Sequence, residues 1–296
     1  MAAADVGLDR LYERLRCPTC SSGPQLGARR CRGCGRLLET NCGLLDLLPD
    51  DVRADADRFA ARYRALRVRE GWADPTGRED PYRAGGRWQR RVKAVKRAAA
   101  VLERGLRDEP RPVVADVGAG SGWAARLFSG ADVMAFDLLD APGAPGPAIH
   151  IRADMRRLPL IASSVDGLLY TAAIHYVPIE DAIREAARVL RPGGLLVAIE
   201  SPMYVDQRAA DRAAERSARY YAARGFADLT GHYHPVDVRR LKAALTAAGF
   251  RIERFEMPPR WLGLWRRLTR SPRFPRLVSR LNKQGPDAGT RTRQDR

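Results

Sequence analysis

The chain has 296 residues, enough for one large or two modest domains with a sizeable core. Its 45% hydrophobic and 29% charged residues are an ordinary globular composition, which excludes a disordered, collagen-like or membrane-embedded chain. The net charge of +17 is carried almost wholly by arginine and is concentrated: residues 78–107 hold +7 and residues 258–296 hold +9, whereas residues 108–257 sum to −1. Those two segments mark where a polyanion or an anionic membrane surface would dock.

Met1 to Arg16 has no apolar stretch behind a basic start, and no run approaches the roughly 18 apolar residues of a membrane span. A cytoplasmic protein without a transmembrane segment is expected. Within residues 1–49, Cys17-Pro-Thr-Cys20 and Cys31-Arg-Gly-Cys34 form two tight cysteine turns. In a reducing compartment such paired turns bind metal more readily than they form disulfides. Cys17, Cys20, Cys31 and Cys34 supply four thiolates for one tetrahedral Zn²⁺ in a small zinc ribbon. A site closed by four protein ligands leaves no position for substrate, so its expected role is folding or docking. Cys42 is left over and reads as a small buried residue.

Residues 50–107 form a helical linker or lid region. Phe59, Tyr63, Leu66 and Val68 share a helical spacing between Ala54 and Glu70, and Val92, Val95, Ala99 and Leu102 share one between Trp88 and Leu106. The second helix carries most of the first basic cluster. Tyr63 and Arg69, just before the next domain, are placed to close over a site there.

From 108 to 257 short apolar runs alternate with helical patterns. Val113 to Val117, Val133 to Phe136, Leu168 to Thr171, Leu195 to Ile199 and Arg251 to Met257 read as strands, and Trp123 to Phe128, Ile179 to Leu190 and Val236 to Ala248 as helical. This alternation predicts an α/β fold, a doubly wound, Rossmann-like parallel sheet. The first of these strands runs into Asp116-Val-Gly118-Ala-Gly120-Ser-Gly122, where glycines let the backbone wrap closely around a ligand. The spacing is neither that of a dinucleotide-binding fingerprint nor that of a P-loop. Asp137 ends the second strand, where a carboxylate can accept hydrogen bonds from both hydroxyls of a ribose. Asp154 and Met155 at the third strand end offer an acceptor and a soft apolar surface suited to an adenine.

Together, Asp116 to Gly122, Asp137, Asp154-Met155 with Leu158-Pro159-Leu160, Val165-Asp166-Gly167 and Arg188-Val-Leu-Arg-Pro-Gly-Gly194 resemble the class I S-adenosylmethionine-dependent methyltransferases of the type 11-like group. The resemblance runs continuously from about Val113 to Glu200. It implies that Asp116, Gly118, Gly120 and Gly122 hold the amino-acid end of S-adenosylmethionine, Asp137 its ribose, and Asp154 with Met155 its adenine. Methyl transfer from a sulfonium is an in-line displacement, in which positioning does most of the work and a base is added when the acceptor must lose a proton.

His175, Tyr176 and Tyr204, after the fourth and fifth strands, are the candidate catalytic residues. His175 has two readings, a general base or a hydrogen-bonded histidine that shapes the pocket. His232 and His234 read as a lid or helix entry. In residues 258–296, Trp261, Leu264, Trp265 and Leu268 are flanked by arginines, which suits either a basic amphipathic helix at a membrane surface or a helix packed on the domain; a flexible tail follows from Gln284. The core motifs lean towards a small-molecule or lipid-like acceptor. An rRNA base methyltransferase with the ribbon docking RNA, and a non-catalytic ribbon scaffold, are the alternatives.

Overall fold

The computed structural model describes residues 9–22, 30–38, 44–77, 79–82, 85–139, 148–256 and 274–282. The expectations for Cys42, for the helix around Trp261 to Leu268 and for the tail from Gln284 fall outside these residues.

Five strands rich in Val, Leu and Ile form the centre of the molecule: β2 (Val113–Val117), β3 (Asp132–Asp137), β4 (Ile149–Arg152), β5 (Val165–Thr171) and β6 (Leu190–Ile199). They are joined by β1 (Leu45–Asp46), β9 (Phe250–Glu256) and β10 (Arg276–Leu281) in one eight-stranded sheet of order β1-β4-β3-β2-β5-β6-β10-β9. The pairings from β1 to β6 are parallel, and β10 runs antiparallel to both β6 and β9. Strand alternation divides the core in two. Val113, Ala115, Val117, Leu168 and Tyr170 face α3 (Ile179–Val189) and α5 (Val238–Ala247), while Val114, Leu169, Leu195 and Val197 face α2 (Gly86–Gly105). From β2 the chain goes outward to β3 and β4 and then crosses back to β5 on the other side of β2, which leaves a crevice outside the carboxyl ends of those strands.

Three elements depart from the expected layout. The Ala- and Arg-rich segment 207–222 forms α4 (Gln207–Ala222), entered through Asp206, whose carboxylate accepts the Ala209 amide at 2.8 Å. Strand β10 lies in what reads as a basic tail. Leu277 and Leu281 enter one core and Val278 the other, while Arg276 pairs with Glu256 and Arg280 with Glu253 at 2.7 Å. The core also crosses the expected boundary at 49. Leu11, Leu15, Leu45 and Leu47 share the core of the sheet, Leu15 bridges to Leu160, and the Arg16 and Leu47 amides donate to Pro159 and Arg152 at 3.0 Å each. Neither 49 nor 257 therefore separates one core from another. Cysteine spacing and arginine content mark segments of the chain, but buried leucines decide which segments fold together.

The fully buried Leu15 gives a test. Leu15→Ala is expected to lower stability by about 2–5 kcal/mol in a single cooperative urea transition. A separate early transition that leaves the sheet's melting unchanged would contradict a shared core.

Candidate active site

The crevice at the strand ends opens into a pocket that, with the solvent at its mouth, encloses about 880 Å³. Its floor comes from the strand ends: Asp116 of β2 and Gly118 just after it, Phe136 and Asp137 of β3, Ala153 and Met155 after β4, and Thr171 to Ala173 at the end of β5. Its roof comes from α1 (Asp50–Arg69), the loop carrying Glu79, and α2.

The turn after β2 is held open by left-handed glycines, with φ of +74° at Gly118, +57° at Gly120 and +69° at Gly122. A Cβ at Gly118 would stand 2.3 Å from the Ala173 Cβ, and one at Gly122 would stand 2.2 Å from the His150 ring. Gly118 and Ala119 donate to the Phe136 carbonyl at 2.8 and 3.0 Å, tying the turn to β3. Asp137 receives the Gly120 amide at 2.7 Å on one oxygen and the Leu139 amide at 2.9 Å on the other. Asp116 lies beneath this turn, buried, with one carboxylate oxygen lacking any hydrogen-bond partner. Burial, reinforced by the nearby Asp137, raises its pKa to about 7.

Two further orphans face the same cavity. The Thr171 hydroxyl and the Arg91 Nε are buried without partners. Arg91 lies over the Trp72 ring at 4.6 Å and the Trp88 ring at 5.4 Å. Arg67 is engaged instead, with Glu79 at 3.3 Å and Glu70 at 3.6 Å. Phe59, Tyr63 and Tyr176 line the roof, and the Tyr176 hydroxyl donates to that of Tyr63 at 3.2 Å. Backbone strain lies beside this region: Ala172 and Glu200, ending the adjacent strands β5 and β6, have φ of +54° and +59°.

Of the residues expected at the site, Asp116, Gly118, Gly120, Asp137, Met155 and Tyr176 line the cavity. Gly122, Asp154, His175 and Tyr204 do not. Gly122 gives its space to His150. Asp154 turns its carboxylate to the Arg156 guanidinium at 2.6 Å and to the Arg156 amide at 2.8 Å. His175 sits 3.2 Å from the Ser201 hydroxyl, and burial, with Arg91 and His234 adding to it, lowers its pKa to about 3. Tyr204 belongs to β7 (Met203–Tyr204), which pairs with β8 (Val236–Asp237), and its hydroxyl pairs with that of Tyr233 at 3.2 Å, while the His232 ring packs tilted against Phe59 at 4.5 Å. Arg69 is exposed away from the cavity and donates to the Arg224 carbonyl at 3.0 Å. Sequence reasoning missed Phe59, Arg67, Glu79, Trp88 and Arg91 as site residues. Phe59 and Trp88 were visible only as apolar helix positions, and the arginines were indistinguishable from the surrounding basic run.

The four cysteines lie apart from the cavity. Their sulfurs are all within 4.8 Å of one another, with Cys17 to Cys34 at 3.7 Å and Cys20 to Cys31 at 3.5 Å. Zinc–sulfur bonds of about 2.3 Å in a tetrahedron put sulfurs roughly 3.8 Å apart, so the set fits one zinc ion.

A parallel sheet with a glycine turn, and acids at the ends of its first two central strands, defines an α/β protein built to hold a nucleoside-bearing cofactor at its switch point. Residues 115–198 match the methyltransferase domain family. A methyltransferase-type protein of Encephalitozoon cuniculi is 30% identical over 149 residues, covering 47% of this chain and 70% of that one. The malonyl-(acyl-carrier protein) O-methyltransferase of Dechloromonas aromatica is 29% identical over 177 residues, covering 54% of this chain and 62% of that one. This chain thus spans about three fifths of the length of the Dechloromonas protein. In fold it is similar to the geranyl diphosphate C-methyltransferase of Streptomyces coelicolor, with a TM-score of 0.50 at 15% identity over 76% of this chain and 97% of that one. The chain belongs to the class I S-adenosylmethionine-dependent methyltransferase family.

Gly118→Ala and Gly120→Ala separate strain from overlap. Both force a left-handed alanine, a penalty of about 1–2 kcal/mol. Only the first also meets backbone-anchored carbon, since at Gly120 the nearest atom is the flexible Glu79 carboxylate at 3.4 Å. Thermal denaturation is expected to show the Gly118 variant clearly less stable than the Gly120 variant; equal losses would contradict the close approach to Ala173.

Proposed function

We propose that the chain transfers the methyl group of S-adenosylmethionine to a small-molecule or lipid-like acceptor, with a structural zinc ion in its N-terminal ribbon. The observation that carries this reading is the set of orphaned buried polar atoms around one glycine-cradled cavity. A zwitterionic amino-acid group needs an acceptor for its ammonium and donors for its carboxylate. The free Asp116 oxygen supplies the first, and Arg91 Nε and the Thr171 hydroxyl supply the second. Asp137 is placed for the ribose, and Met155, Leu138, Leu139 and Ala153 give an apolar wall for the adenine. When bound, the cofactor supplies a methyl group activated by a sulfonium.

The chain's own part is positioning and exclusion of water. Phe59, Tyr63 and Tyr176 close the acceptor side, and the Tyr63–Tyr176 hydroxyl pair offers a fixed polar point in an aromatic wall. His175, held neutral and bonded to Ser201, serves in this reading as a positioning residue whose ring packs 4.4 Å from that of Tyr176. Tyr204 and Asp154 likewise support the lid and the strand-end loop. The Dechloromonas relative, by its name, methylates a malonyl group borne on acyl-carrier protein, which supports a small organic group as the acceptor here. Among the described residues no helix is long and apolar enough to cross a membrane.

Calorimetry with S-adenosylmethionine tests the reading, with one site per chain expected and no heat overturning it. Asp116 must be ionised to hold an ammonium, and its pKa in the free protein is about 7. Affinity should therefore fall about tenfold per pH unit below 7, and it should fall again above about pH 8 as the ligand's own α-ammonium loses its proton. Asp116→Asn should bind about 10- to 100-fold more weakly at neutral pH and lose the fall below pH 7. Elemental analysis should find one zinc per chain, and chelation should lower the melting temperature; a metal-free chain of unchanged stability would remove zinc from the proposal.

A further inference from the structure

Helix α2 faces two ways. Trp88 and Arg91 line the cavity, and Val95, Ala98 and Leu102 are buried under the sheet. On the opposite side Arg90, Lys93, Arg97 and Arg104 follow one another at intervals of three, four and seven residues, with Ala100 filling the remaining place in the row, and Lys96 flanks it. All six are exposed. At 1.5 Å per residue the row is about 21 Å long and parallel to the helix axis.

The helix gains nothing from this charge. It has no acid in its first turn, and its single acidic residue, Glu103, is occupied with the Ser129 and Gly130 amides at 2.7 Å each. Like charges three and four residues apart destabilise a helix, and cations in the first turn oppose its dipole. Helix α1 shows the contrary pattern: Asp50 and Asp51 stand in its first turn, Arg67 and Arg69 in its last, and Arg53, Arg58, Arg62 and Arg67 are all ion-paired. Among the described residues Arg90, Lys93, Lys96 and Arg97 make no ion pair or hydrogen bond.

We propose that the outer face of α2 is a docking surface for an acidic protein, specifically for a helix with a row of carboxylates at the same spacing. Charge complementarity selects an anion, and three features select a protein. The cations lie in a straight line with a helical repeat, which an acidic helix laid alongside matches. Ala100 in the row lets a second backbone come close. The exposed residues of this face include no aromatic side chain on which a nucleic-acid base would stack and no large apolar side chain that would enter a bilayer. Trp88 and Arg91 lie two residues from Arg90 and Lys93 and so on the other face of the helix, which puts the width of α2 between a partner on this row and the cavity. The surface does not depend on the identity of the methyl acceptor.

The test uses the full chain and a labelled 20-residue Ala/Glu helical peptide with glutamates at positions i, i+3, i+7, i+10 and i+14. Fluorescence anisotropy should show binding that weakens as salt is raised. A peptide of equal composition with the glutamates scattered around the helix should bind at least tenfold more weakly. The triple variant R90E/K93E/R97E should lose at least tenfold in affinity for the row peptide, with its melting temperature not lowered and its S-adenosylmethionine binding unchanged. Equal binding of the two peptides, or indifference to the triple substitution, would overturn the proposal. So would tighter binding of a 20-base-pair RNA duplex or of phosphatidylglycerol vesicles than of the row peptide.

Discussion

Where the strand order reverses between β2 and β5, Gly118 lies so close to Ala173 that a methyl group on the glycine would stand 2.3 Å from the alanine side chain. The rest of the site depends on that approach. It brings the turn after β2 against the loop after β5, allows the Gly118 and Ala119 amides to be spent on the Phe136 carbonyl, and leaves Asp116 in an enclosed space with a carboxylate oxygen unpaired. A carboxylate buried without a partner is unfavourable in the free protein, and the rise of its pKa to about 7 is the form that cost takes. A cationic ligand group removes the penalty on arrival, so binding and ionisation are coupled through one oxygen atom.

The central sheet and the glycine turn are legible in the sequence because each leaves a strong local mark, a buried apolar run or three glycines at alternate positions. Asp137 is legible for the same reason, as the acid ending a strand. The cavity roof is not. Arg67 and Arg69 are two residues apart on one helix, which turns their side chains to different faces, and composition cannot say that Arg67 meets Glu79 while Arg69 reaches the Arg224 carbonyl. Asp154 and Met155 show the same limit at a strand end, where neighbours diverge and only Met155 lines the cavity. Strand β10 is hidden by its arginines, since the alternation of Leu277, Ser279 and Leu281 becomes readable only once Glu253 and Glu256 of the neighbouring strand are seen to pair with Arg280 and Arg276. Helix α4 buries only small alanines and so lacks the apolar stripe that announces a helix.

The large positive charge likewise divides on inspection. Much of it is internal wiring: Arg152 joins Asp46 and Asp57, Arg188 joins Glu185 and the Leu158 and Leu160 carbonyls, and Arg191 joins Asp166 and Glu109. These pairs are largely buried, so the attraction within each is offset by the cost of desolvating it, and their role is to fix how loops leave the sheet. Against that background the unpaired cations of α2 stand apart as charge with no use inside the molecule.

The N-terminal segment has a consequence beyond its cysteine cluster. Strand β1 is two residues long, yet with the Leu47 amide it occupies the outer edge of β4, and the Leu15 bridge and Arg16 amide fasten the loop that follows. Without that cover β4 would present open hydrogen-bonding groups and the apolar side chains of Ile149 and Ile151 to any passing strand. The N-terminal segment thus acts as an edge guard, and a chain trimmed to its recognisable catalytic motifs would be exposed to self-association through the sheet.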